Sequence, residues 1–286
     1  MQRLRIKHLT EYTFPAQVTF NQHKLLLRPR EGHDVRIESS KLEITPAYSI
    51  KWQRDVFDNS LAIVNFLERS NRLTIASEVV IQHYEQAPFD FMLESYATQY
   101  PFTYALDEQA DLGIFQQASF YNDQTIVNAW LQQQNLLGMQ TFNLLMHLNH
   151  NISQNFRYQM REEAGVQSPT QTLSQRSGSC RDYATLFIEA CRCLGLASRF
   201  VSGYLHAPAT EAGNATTHAW AEVYLPGTGW KGFDPTSGEL TGNHHIAVAV
   251  ARNPEAIPPV SGSFIGLGLM APTMQVNVQV NLLPQL

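Results

Sequence analysis

One stretch in the second half of the chain, residues 179–195, restricts the possible folds more than any other. Apolar residues recur there with helical spacing, at Ala184, Phe187, Ile188, Cys191 and Leu194. Gly195 follows in the position of a helix C-terminal residue, and Ser179-Cys180 marks the start. Strand patterns follow at 198–205, 218–225 and 230–233. A helix followed by short strands predicts an α+β unit in this half of the chain.

The first part of the chain has a strand-like pattern instead. Short alternating or continuously apolar runs lie between turn residues, at 3–7, 24–27, 60–66 and 73–81. They predict an antiparallel β-sandwich or barrel of roughly six to eight strands. Helical patterns begin only at 123–134 and 139–154. We therefore expect three parts: a β-rich N-terminal domain (1–90), a connecting segment (91–122), and a core with a C-terminal strand (123–286).

Composition argues against several classes of partner and location. The 286 residues have a net charge of -5 and no cluster of Lys or Arg, so no nucleic acid partner is expected. No apolar run is long enough to cross a bilayer and no export signal is visible, so no membrane partner is expected. Cys180 and Cys191 would lie about 16 Å apart along a helix, too far for a disulfide. Reduced thiols and a cytoplasmic location are therefore expected.

Three separate residues supply the groups of a cysteine acyl-transfer site. Cys180 opens the predicted helix, His218 opens a strand, and Asp234 ends the next strand. The helix dipole lowers the pKa of a thiol by roughly 1.5 units at most, so full activation requires an imidazole. With an odd number of residues in the turn between the strands, His218 and Asp234 are diagonal neighbours on one face. An even number would place them on opposite faces. The alternative interpretation of Asp234 is a turn carboxylate before Pro235.

Other residues of these segments have structural interpretations. Cys191 and Cys193 lie inside the helix on different faces, which is typical of buried cysteines and does not suit a metal. Arg181 and Asp182 are expected to pair across the helix start. Trp220 and Trp230 suit a substrate groove or the core equally well. His244-His245 is interpreted as a loop without metal-ligand spacing, so neither a metal nor a cofactor is expected.

Four segments together resemble the core of the bacterial transglutaminase-like superfamily. They are 178–184 (GSCRDYA), 195–204 (GLASRFVSGY), 218–223 (HAWAEV) and 229–236 (GWKGFDPT). Residues 1–85 resemble more loosely the β-rich N-terminal region that accompanies this core. The resemblance implies a β-sandwich followed by a papain-like core of helices on an antiparallel sheet. It also implies Cys180 as nucleophile, His218 as base and Asp234 as the residue that orients the base.

The resemblance is incomplete at the oxyanion site. The animal cross-linking enzymes of the superfamily use an upstream tryptophan there, whereas the nearest upstream tryptophan here, Trp130, lies 50 residues before Cys180. The main-chain N–H of Cys180 is the expected first donor, and the second is left open.

The expected activity is thioester-mediated cleavage of peptide or carboxamide bonds, with hydrolysis favoured and a peptide or protein as substrate. The alternatives are a protein-glutamine transglutaminase and a non-catalytic peptide-binding module. The oligomeric state is left open.

Overall fold

The computed structural model describes residues 1–84, 89–161, 163–206, 216–266 and 271–284. Its strands, in chain order, are β1 (Gln2–Phe20), β2 (His23–Leu25), β3 (Val35–Thr45), β4 (Tyr48–Arg54), β5 (Ser60–Phe66), β6 (Ser70–His83), β7 (Arg157–Tyr158), β8 (Ser177–Gly178), β9 (Ser198–Leu205), β10 (Thr216–Leu225), β11 (Gly229–Asp234), β12 (Glu239–Leu240), β13 (His245–Ala251), β14 (Val260–Ser261), β15 (Phe264–Ile265) and β16 (Thr273–Leu283). Its α-helices are α1 (Leu106–Gln116), α2 (Gln124–Gln132), α3 (Thr141–Asn155), α4 (Pro169–Gln175) and α5 (Cys180–Cys193).

Two antiparallel sheets form the N-terminal region, as the strand patterns predict. One sheet has the order β15-β1-β6-β3, with β16 also paired to β1, and the other has the order β14-β2-β5-β4. Apolar side chains including Phe14, Leu25, Val64 and Ile75 form a buried core in this region. The sequence analysis did not identify β3 and β4. In β3 the alternation breaks at Ser39-Ser40, next to the point where the register with β6 shifts.

The C-terminal strand requires a correction. We expected the strand near 274–283 to belong with residues 123–286, but β16 pairs along its whole length with β1 at the other end of the chain. Val278 and Val280 of β16 are buried in the same cluster as Leu4 and Ile6 of β1. The sequence pattern identified the strand but contained no information about its partner, because pairing depends on contacts distant along the chain.

A third antiparallel sheet, with the order β12-β11-β10-β9-β13, carries the helices of the core. Helix α5 begins and ends within one or two residues of its predicted bounds, and nearly all of its residues are buried. It lies against β9 and β10 on one side and against α2, α3 and α4 on the other. The expected connecting segment contains helix α1, whose Leu112 and Phe115 are buried.

The N-terminal sheets and the core share one continuous apolar interior. Asn59 links them with paired hydrogen bonds of 2.8 Å, from its amide to Val250 O and from Val250 N–H to its side-chain oxygen. Fully buried, it satisfies the backbone of a core strand as a neighbouring strand would. Among the described helices, none combines the length and apolar character needed to cross a bilayer.

Candidate active site

Cys180 is the first residue of α5, held there by a well-defined cap. Asp182 Oδ2 accepts hydrogen bonds from the backbone N–H and from the hydroxyl of Ser179, both at 2.8 Å. Gly178 precedes this cap, and a Cβ atom there would lie 2.8 Å from Cβ of Asp182. The glycine is therefore required for the close approach that places the thiol at the helix start.

Asp182 also fixes the chain that approaches the helix from outside. Its fully buried Oδ1 accepts bonds of 2.7 Å from the Arg161 guanidinium and from the Gln167 backbone N–H. Arg181 instead donates to the backbone carbonyls of Arg161 and Glu163. The structural interpretation of these two residues agrees with the contacts, although Asp182 pairs with Arg161 and not with Arg181.

His218 and Asp234 meet because of the register between β10 and β11. Leu225 is opposite Gly229 and Ala221 is opposite Phe233, so the turn contains three residues, the odd number that places His218 and Asp234 on one face. His218 Nε2 lies 2.8 Å from Asp234 Oδ2. The Cys180 thiol also interacts electrostatically with His218 and contributes to its raised pKa. Because Nε2 is bound to Asp234, Nδ1 is the ring nitrogen left for the sulfur.

Each carboxylate oxygen of Asp234 has at least one donor. Thr236 N–H donates to Oδ1 at 2.9 Å, and His245 Nε2 lies 3.2 Å from Oδ2, the oxygen that also binds His218. His245 is therefore part of the site, and its interpretation as a loop residue is corrected, because strand β13 begins at this residue. Ligand atoms of His218, Asp234 and His245 all lie within 4.8 Å of one another.

The electrostatics of the pair favour an imidazolium and a carboxylate. Burial opposes protonation of His218, but hydrogen bonds and charges from Asp234 and Cys180 outweigh it and raise the pKa of His218 to about 10. Burial likewise opposes ionisation of Asp234, but its hydrogen bonds with His218 and His245 lower the pKa of this carboxyl far below its usual value. Cys180, His218 and Asp234 are only 9%, 7% and 1% exposed, so water weakens these interactions little.

Tyr158 is a further side chain of the site, and no sequence pattern pointed to it. Strand β7 runs parallel to β8, with Tyr158 opposite Gly178, two residues before Cys180. Cys180 is among the groups that interact electrostatically with the Tyr158 hydroxyl. Burial and the neighbouring Cys180 raise the pKa of Tyr158 to about 12, so the hydroxyl is a proton donor at neutral pH. No local pattern reveals a two-residue parallel pairing across twenty residues.

Of the other aromatic and cysteine residues considered in the sequence, Trp220 lies beside the catalytic candidates, and the rest have structural positions. Trp220 is buried, with its ring 5.2 Å from that of His245 and 6.3 Å from that of His218. Trp230 packs on Phe115 and Arg199 at the other end of the sheet. Burial raises the pKa of Cys191 far above its usual range and that of Cys193 to about 11, so neither thiol is activated.

Two family models match the chain. Residues 132–235 match the transglutaminase-like superfamily core, and residues 4–82 match the bacterial transglutaminase-like N-terminal region. The first match contains Cys180, His218 and Asp234.

Individual proteins resemble all or part of the chain. An uncharacterized protein of Mycobacterium tuberculosis is 27% identical over 91% of this chain and 87% of its own, and one from Mycobacterium leprae is 32% identical over 38% and 39%. A crystal structure from Cytophaga hutchinsonii, described as a "putative cysteine protease", aligns with a TM-score of 0.78 at 17% identity. This alignment covers 99% of this chain and 91% of that one, and establishes a common fold.

Proposed function

The chain belongs to the transglutaminase-like superfamily, and from that premise we propose that it is a cysteine-nucleophile hydrolase of peptide or carboxamide bonds. The observation that carries the proposal is that Cys180, His218 and Asp234 lie in one row, with His218 between the other two. His218 interacts electrostatically with Cys180 and binds Asp234 at 2.8 Å through Nε2, which leaves Nδ1 for the sulfur. This is the arrangement that nucleophile, base and orienting group require.

In the proposed acylation, His218 already holds the proton of the Cys180 thiol as an imidazolium, and the Cys180 thiolate attacks the carbonyl carbon. The tetrahedral intermediate then collapses: the carbon–nitrogen bond breaks, and the imidazolium of His218 gives its proton to the leaving amine. A thioester on Cys180 remains. Asp234 stabilises the imidazolium throughout, in agreement with the raised pKa of His218.

Two donors are available to the oxyanion of that intermediate. The N–H of Cys180 lies in the first turn of α5 and therefore has no acceptor within its own helix. The Tyr158 hydroxyl lies beside the same sulfur and is half-exposed, so it can turn toward a substrate atom. We assign Tyr158 as the second donor, in the role that the animal enzymes give to tryptophan.

Hydrolysis is proposed over transfer to an amine because of the narrow approach to the sulfur. Cys180 and His218 are each less than a tenth exposed, and Tyr158 lies beside the thiol. Water is the smallest acceptor that can reach a thioester there. His218 would take a proton from this water as its oxygen attacks the carbonyl carbon. The carbon–sulfur bond then breaks, the acid is released, and Cys180 leaves as the thiolate beside the His218 imidazolium.

The test compares hydrolysis and amine incorporation on glutamine-containing peptides, with and without a primary amine. We expect release of the free acid or amine product, and loss of turnover to the background rate in Cys180→Ala, with an unchanged unfolding transition. Efficient amine incorporation at the expense of hydrolysis would establish a transferase instead. Turnover retained by the folded Cys180→Ala protein would refute the mechanism.

A thiol-labelling experiment separates the enzyme from a non-catalytic module. At mildly acidic pH an alkylating reagent should modify Cys180 selectively, because an adjacent imidazolium stabilises its thiolate. Cys193 is the internal control, since burial raises its pKa to about 11. Equally slow labelling of Cys180 and Cys193 would show that the thiol is not activated, and would favour the peptide-binding module.

The proposed setting is a reducing one, such as the cytoplasm. All three cysteines are free thiols in the structure, and the mechanism requires Cys180 to remain reduced. The proposed partner is a peptide or protein substrate.

A further inference from the structure

His245 has no role in the mechanism derived so far, although it touches the carboxylate at its centre. Its Nε2 lies 3.2 Å from Asp234 Oδ2, and its ring is largely buried against Trp220, with centroids 5.2 Å apart at 78°. Its ring centroid lies 6.1 Å from that of His218. Two imidazoles therefore share one carboxylate oxygen.

The hydrogen bonds of His245 define its tautomer. The backbone N–H of Gly242 donates to His245 Nδ1 at 3.3 Å, so Nδ1 must carry a lone pair. In a neutral imidazole the proton then resides on Nε2, which faces Asp234. His245 is consequently a donor to the carboxylate through an N–H group and needs no positive charge to be one.

The same reasoning argues against a metal at this position. The spacing of His218, Asp234 and His245 would allow a bound ion, since their ligand atoms lie within 4.8 Å of one another. A metal ligand needs a free lone pair on Nε2, whereas the Gly242 N–H already occupies the lone pair of Nδ1. His245 could accept the Gly242 N–H at Nδ1 and bind a metal through Nε2 at the same time only if its ring carried no proton.

We propose that His245 is a positioning residue: as a neutral imidazole it donates from Nε2 to Asp234 and holds the carboxylate in the orientation that receives His218. Three donors then fix Asp234, with His218 and His245 on Oδ2 and the Thr236 N–H on Oδ1. Without His245, Oδ2 loses one of its two donors, and only His218 and the Thr236 N–H still hold the carboxylate. The inference rests on the proposed function, because Asp234 matters only if His218 acts on Cys180.

The direction in which the alkaline limb of the pH–rate profile moves distinguishes this role from simple packing. The second donor withdraws charge from Asp234, so its loss makes the carboxylate more basic and favours the imidazolium of His218. The titratable groups that face the His245 ring are Asp234 of β11 and His218 of β10, and His83 of β6 lies 3.3 Å from the His245 carbonyl oxygen. Loss of the donor should therefore move the alkaline limb of the rate profile to higher pH.

The experiment separates donation from ring packing with two variants. His245→Phe keeps a ring against Trp220 and removes the donor, whereas His245→Gln keeps an N–H donor and removes the ring. We expect His245→Phe to lower kcat about tenfold with KM unchanged and to raise the alkaline pKa of the profile. His245→Gln should remain within about twofold of the parent protein. Equal losses in both variants would overturn the proposal.

A second measurement does not depend on turnover. Nitrogen-15 chemical shifts of the His245 ring should show the Nε2–H tautomer near neutral pH in the intact protein. An Nδ1–H tautomer, or stoichiometric Zn²⁺ binding that His245→Gln abolishes, would overturn the proposal. If the parent protein has no activity but shows this tautomer, the proposed function fails while the hydrogen bond to Asp234 is established separately.

Discussion

A buried pair of opposite charges lies near each end of helix α5, and the two pairs differ in whether the cation can lose its proton. Near its start, His218 and Asp234 meet beside Cys180. In its last turns, Glu189 and Arg192 meet at 2.6 Å, with side chains that are 3% and 1% exposed. An imidazolium can give its proton to a leaving group during a reaction, whereas a guanidinium cannot.

The two ends also differ in how completely their polar atoms are paired. Glu189 accepts from the backbone N–H groups of Ser119 and Phe120, and Arg192 donates to carbonyls including those of Phe115 and Ser198. Around the active end, by contrast, Trp220 Nε1 and Thr236 Oγ1 are buried without a partner. Complete pairing with a permanent cation stabilises the fold. A cation that can lose its proton, as His218 can, and polar atoms without partners are suited to catalysis.

The largest predicted effect is on catalysis and comes from Asp234→Asn. We expect kcat/KM to fall roughly 10³- to 10⁴-fold, because the amide neither stabilises the imidazolium nor maintains its orientation. Asp234 raises the pKa of His218, so its loss should move the alkaline limb of the pH profile to lower pH. Stability should change much less, since His218 can become neutral. A variant that loses the fold along with activity would contradict the contrast between the two pairs.

The largest predicted effect on stability comes from Glu189→Ala. It leaves the Arg192 guanidinium buried and unpaired, which should cost about 3–5 kcal/mol in the free energy of unfolding, measured by urea titration. Glu43→Ala is the control, because it removes an exposed pair with Lys41 and should cost less than about 1 kcal/mol. While it remains folded, the Glu189→Ala protein should keep normal kcat. A loss below 1 kcal/mol would refute the structural role of this pair.

Sequence reasoning succeeded where the signal was local. The apolar spacing and Gly195 fixed helix α5 almost to the residue, and the alternation fixed β9. The register of β10 and β11 depended on one turn length, which sequence left open between an odd and an even number. Cys180, His218 and Asp234 could therefore be selected as candidates, because each stands at a well-marked end of an element.

What sequence could not supply were contacts made across long separations. Tyr158 reaches Cys180 through a parallel pairing of only two residues with β8. His245 begins its strand one residue before the apolar run, and its contact with Asp234 depends on the packing of β13 beside β9. The pairing of β16 with β1 joins the two ends of the chain. In each case many partners would satisfy the local pattern equally well.

The smallest predicted effect concerns Tyr158, whose hydroxyl lies beside Cys180 at the start of helix α5. Tyr158→Phe removes one hydroxyl beside Cys180 and should lower kcat roughly tenfold with KM unchanged, since an oxyanion donor acts mainly in the transition state. Tyr183→Phe is the matched control, because its ring lies 6.3 Å from that of Tyr158 on the same helix as the thiol. A fall in both variants, or a rise in KM alone for Tyr158→Phe, would mean that Tyr158 shapes the cleft and donates nothing to the reaction.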